Sequence, residues 1–79
     1  MNDFWVKFKT GTTADQVTNG LKAVPASNIS FENDCWLFRA KWGTTQRNLN
    51  NLQGRIETGS GSGSVLAIGV QEDDDSDSE

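Results

Sequence analysis

Three features of the chain predict an α+β sandwich with the element order βαββαβ. The first is an internal repeat. "KTGTT" begins at Lys9 and "KWGTT" at Lys41, 32 residues later, and an aliphatic residue (Val17, Leu49) stands four positions beyond each Gly-Thr-Thr. The second is a change of hydrophobic period, from two before each Gly-Thr-Thr to about 3.6 after it. The third is the pair Asn33-Asp34 between two alternating segments, which reads as the turn of a central hairpin.

The elements follow in order. In "DFWVKFK" the residues Phe4, Val6 and Phe8 point one way and Trp5, Lys7 and Lys9 the other, the pattern of a half-buried strand. Thr13 followed three places later by Gln16 forms a capping box that opens a helix. Val17, Leu21 and Val24 give that helix one apolar face, and Pro25 ends it. Gly20 inside it costs about 1 kcal/mol against alanine and permits close packing. In "NISFENDCWLFRAKW" the two-residue turn sets Phe31 opposite Trp36 and Ile29 opposite Phe38. These four share a face with Ala40 and Trp42, and Trp36, Phe38 and Phe31 are expected in the core, while Cys35, Leu37, Arg39 and Lys41 share the other face.

The second Gly-Thr-Thr opens a helix with Leu49, Leu52 and Ile56 inward, although Asn48, Asn50 and Asn51 are poor helix formers. "GSGSGS" from Gly59 to Ser64 reads as a flexible connector, and "VLAIGV" as a last strand. Two strand–Gly-Thr-Thr–helix–strand units make a ferredoxin-like sandwich: a four-stranded antiparallel sheet with two helices on one face.

Charge divides the chain more sharply than its net value of −4 implies. Six of the eleven acids (Glu72, Asp73, Asp74, Asp75, Asp77 and Glu79) fall in the last eight residues. The expected organisation is a ferredoxin-like domain over 1–71, with a flexible Gly/Ser loop at 58–64, and a disordered acidic tail over 72–79. Residues 1–71 hold seven Lys or Arg against five acids, so the domain is mildly basic. Cys35 is the single cysteine and there is no histidine. An internal disulfide is therefore impossible and a zinc site lacks ligands. These features, with no apolar signal core and no run of about 20 apolar residues, lead to the expectation of a cytoplasmic protein with no membrane segment, metal or cofactor.

In the expected 4-1-3-2 strand order the open face of the sheet carries Trp5, Lys7, Lys9, Cys35, Leu37, Arg39 and Lys41, flanked by Val65 and Ala67. Four cations around a tryptophan suit single-stranded nucleic acid, with phosphates on the cations and a base on Trp5. The same face also suits a homodimer interface built on Trp5, Leu37, Val65 and Ala67, or a solvated surface with its lysines present for solubility. The Gly-Thr-Thr corners read as helix caps rather than anion sites, since neither continues as Gly-Lys-Ser/Thr. No catalytic group is assigned: there is no His or Tyr, the acids of the domain are scattered, and Cys35 has no base partner.

The topology is similar to that of the RNA recognition motif, which stacks bases on aromatics of its third strand. Here Trp36, Phe38 and Trp42 fall on the helix side, and Trp5 alone is placed to stack. It is also similar to the small ferredoxin-like ribonucleases of CRISPR and toxin–antitoxin systems. Those place an Asp near the end of the first strand, where this chain has Lys9-Thr10. No site residue carries over from either resemblance. The leading expectation is thus a small non-enzymatic binding protein contacting single-stranded nucleic acid through Trp5, Lys7, Lys9, Leu37, Arg39 and Lys41. The alternative is a protein-binding inhibitor or adaptor, of the accessory kind viruses encode, meeting a basic protein through its tail or docking through a Trp5/Leu37 patch.

Overall fold

The computed structural model describes residues 2–71, so the acidic tail lies outside the described residues. The elements are β1 (Asn2–Phe8), α1 (Ala14–Lys22), β2 (Ser27–Glu32), β3 (Cys35–Ala40), α2 (Gln46–Ser60) and β4 (Val65–Val70). The fold is α+β in the order βαββαβ. One four-stranded sheet runs β2-β3-β1-β4, and every neighbouring pair is antiparallel. Among the described residues no helix is long and apolar enough to cross a membrane.

The repeat corresponds to two equivalent helix starts. Thr13 and Thr45, 32 residues apart, are the N-caps of α1 and α2 with nearly identical extended backbones. The Gln16 N–H donates to Thr13 Oγ1 at 3.2 Å, and the Thr13 N–H donates to Gln16 Oε1 at 2.9 Å, completing the capping box. At the second corner the Asn48 N–H donates to Thr45 Oγ1 at 3.2 Å. There Asn48 Nδ2 also bonds the same hydroxyl at 2.8 Å, in place of the reciprocal bond.

The core lies between one sheet face and the two helices. Phe4, Val6, Phe38, Ala40 and Val65 from the strands meet Val17, Leu21, Val24, Leu52 and Ile56. Phe4 (0 % exposed) and Phe38 (2 %) stack at its centre with ring centroids 5.6 Å apart. The helices touch through glycine. A methyl on Gly20 would lie 2.7 Å from the Ile56 carbonyl oxygen, and one on Gly59 would collide with the Asn19 carbonyl. Only hydrogen at both positions lets the two backbones approach this closely.

That crossing changes the reading of the Gly/Ser run. α2 continues to Ser60, so the expected loop over 58–64 begins inside a helix. Ser60 is buried, its hydroxyl donates to the Ile56 carbonyl at 2.9 Å, and the Ser64 hydroxyl closes on it. Gly and Ser have weak helix propensity, yet here small size is what the helix contact selects.

Further expectations are corrected. Phe31, expected in the core, is 55 % exposed, and Ile29, expected on the same face, is 46 % exposed. The Asn33-Asp34 turn has positive φ at both residues, as a type I′ hairpin turn requires, and Phe31 does pair with Trp36. However, neither helix reaches over β2, whose six residues are all exposed. With α1 drawn against α2, the helix layer is narrower than the sheet. Ile29 also does not pair one-to-one with Phe38: the β2–β3 register shifts between Ser27 and Ser30, so that Asn28, with a positive φ, and Ile29 together span the position of Phe38. Trp36 is only partly buried, against Phe31 at 5.0 Å. Finally Val65, expected beside the open face, is a core residue at 7 % exposure. A register shift between Lys7 and Phe8 in the β1–β4 ladder turns it to the helix side.

Candidate binding face

The face without helices is built in rows by strand pairing. Trp5 pairs with Leu37 on β3 and with Gly69 on β4, and Leu37 pairs in turn with Ser30. The row above contains Asp3 opposite Arg39, with Ser27 beyond. The row below contains Lys7 opposite Ala67 on one side, while Cys35 faces Glu32 on the other.

Trp5 is held in place by what lies next to it. A methyl on Gly69 would come within 2.7–2.8 Å of three atoms of the indole, so the ring rests directly against the β4 backbone. Trp5 and Leu37 together form an apolar centre. A shallow groove of about 370 Å³ opens over them, bounded by Glu32, Asn33 and Cys35 on one side and Gln71 on the other.

The cations do not converge on this centre. Arg39 Nε donates to Asp3 Oδ1 at 2.9 Å, and Nη2 approaches Oδ2 at 3.5 Å. The guanidinium hydrogen bond, reinforced by the charge of Arg39, holds the Asp3 carboxyl below the usual aspartate range, and the same bond raises Arg39. Lys7 sits one row from Trp5 and is exposed. Lys9 lies beyond the end of β1, where its N–H donates to the Ser64 carbonyl at 2.7 Å. Lys41 follows Ala40, which pairs with Asn2 at the other end of the sheet. At about 3.3 Å per residue, roughly 25 Å of strand separates Lys9 from Lys41. Of the six expected contact residues, Trp5 and Leu37 are adjacent, Lys7 and Arg39 flank them, and Lys9 and Lys41 stand at opposite ends.

Asp3 and Gly69 were missed in the sequence, for different reasons. Asp3 is two residues before Trp5, and the period of two alone puts it on the same face. Gly69 required the β4 register, which depends on the shift below Lys7. Against this geometry, no protein family, curated protein or solved structure matches the chain.

Proposed function

We propose that this chain is a small non-enzymatic adaptor or inhibitor with a ferredoxin-like fold, and that its open sheet face docks a partner protein through Trp5 and Leu37. One observation carries the reading. The centre of the face is apolar, and its nearest arginine is engaged by Asp3. A tryptophan packed on the sheet and flanked by a leucine, with charges around the rim, has the make-up of a protein interface centre, where aromatic anchors dominate and charges lie outside. A single-strand track asks for cations repeated along a groove, and here Lys7 alone lies beside the centre while Lys9 and Lys41 lie at the two ends of the sheet.

The test is capture from a host extract on immobilised full-length chain, with nuclease-treated and untreated arms. A protein retained after nuclease treatment and lost with Trp5→Ala or Leu37→Ala supports the reading. Capture that disappears with nuclease treatment would assign the face to nucleic acid instead. Self-association abolished by Trp5→Ala, with no other protein bound, would assign it to a second copy of the chain.

A further inference from the structure

A second surface lies on the far side of the sandwich. α2 turns Leu49, Leu52, Ile56 and Ser60 toward the core. On the opposite side stand Arg47, Asn50, Asn51, Gly54, Arg55 and Thr58, all exposed. Their spacing of i, i+3, i+4, i+7, i+8 and i+11 is one helical face. The Arg55 guanidinium lies over the Trp42 ring, 5.7 Å from its centroid, and a groove of about 450 Å³ runs between Trp42 and the helix. Glu57, the one acid of α2, lies at the flank, and its carboxylate accepts the Val65 N–H at 3.3 Å. Among the described residues neither Arg47 nor Arg55 has a carboxylate partner, the one ion pair being Arg39–Asp3.

Four of the six residues on this face, Asn50, Asn51, Gly54 and Thr58, are not those that helix stability would select. A solvated helix face is best filled by Ala, Glu, Lys, Arg or Gln, whereas Asn, Thr and above all Gly weaken it. Gly20 and Gly59 have a steric reason within the fold, but a methyl on Gly54 would meet nothing within 4 Å. Gly54 sits at the middle of the outer face, where nothing among the described residues packs against it. Around it are guanidinium and carboxamide groups, and Asn50 Oδ1 is already held by Gln46 Nε2 at 3.0 Å.

We propose that the outer face of α2 docks in the major groove of duplex DNA, with Arg47 and Arg55 on phosphates, Asn50 and Asn51 toward base edges, and Gly54 at the closest approach. Among the described residues the face is cationic with no counter-charge on it, which matches a polyanion. A helix about 10–12 Å across fits a groove about 12 Å wide. Carboxamides and guanidinium groups are the side chains that read adenine and guanine edges there.

The experiment is fluorescence anisotropy of the full-length chain with a short labelled DNA duplex and the matching single strand, each at two salt concentrations. Wild type is expected to bind the duplex at low salt, more tightly than the single strand. The double variant Arg47→Ala/Arg55→Ala should weaken binding at least about tenfold and lower the log–log salt slope by about 1.8. Gly54→Gln should raise the melting temperature while weakening binding, a combination that a purely structural role would not give. Trp5→Ala should leave duplex binding unchanged, which separates this surface from the sheet face. No duplex binding at low salt, undiminished binding by the double arginine variant, or preference for the single strand would each overturn the proposal.

Discussion

Gly69 and Asp3 show how a single residue governs the sheet face. Gly69 has no side chain of its own to contribute, yet its missing methyl is what lets the Trp5 indole lie against β4. Gly69→Ala should push the indole away without opening the core, since the substitution adds volume on the open face alone. Near-ultraviolet circular dichroism should change, far-ultraviolet should not, and capture of the proposed sheet-face partner should fall, as is expected for Trp5→Ala. Asp3 acts through charge. Its carboxyl is depressed in the folded chain, so its pairing with Arg39 contributes fully at pH values above the ordinary aspartate range. That contribution disappears as pH falls through the lower folded value. Thermal melts of wild type and Asp3→Asn should therefore differ near neutrality and converge in acid. Equal melting temperatures at neutral pH would show that this exposed pair adds nothing measurable.

At the scale of elements, the helix crossing sets both the length of α2 and the width of the helix layer. The methyl of Gly59→Ala would meet the Asn19 backbone, which cannot swing aside as a side chain can. The substitution should destabilise the fold by about 1–3 kcal/mol in urea melts, although alanine is the better helix former by about 1 kcal/mol. A stabilised variant would mean that the helices stand further apart. This is also where the sequence was least legible. The capping threonines, the Asn33-Asp34 turn and the face assignments of Phe4, Val6 and Phe38 follow from local spacing. The helical end of "GSGSGS" does not, because its stability comes from a contact with Asn19–Gly20 some forty residues earlier. Phe31 was misplaced for the same reason. The hairpin register put it on the core side correctly, and only the position of α1 decides whether that side is covered.

For the whole molecule, the sheet is wider than the layer above it, and the three tryptophans report on three different surfaces. Trp5 lies on the open sheet face, Trp36 borders the groove between β2 and α1 with Phe31, and Trp42 stands under Arg55 beside α2. Core and edge should respond differently to truncation. Phe38→Ala should cost about 3–5 kcal/mol, roughly the whole stability expected of a chain this small, and leave it unfolded. Phe31→Ala should leave a cooperative melt close to wild type. A reversed order in chemical denaturation would place the core elsewhere. The separate placement of the cations was likewise hidden in the sequence, because alternation assigns a face but not a distance along it. Lys9 and Lys41 share a motif position and yet stand at opposite ends of the antiparallel β1–β3 ladder.

The same three indoles give the most direct measurement of the sheet-face assignment. Nuclear magnetic resonance of the indole N–H signals can follow the full-length chain as its captured partner protein is added, with Trp5→Ala, Trp36→Phe and Trp42→Phe supplying the assignments. Docking on the open face should shift or broaden the Trp5 signal at partner concentrations that leave Trp36 and Trp42 unmoved. A bound complex in which Trp5 is unchanged while Trp36 or Trp42 responds would contradict it.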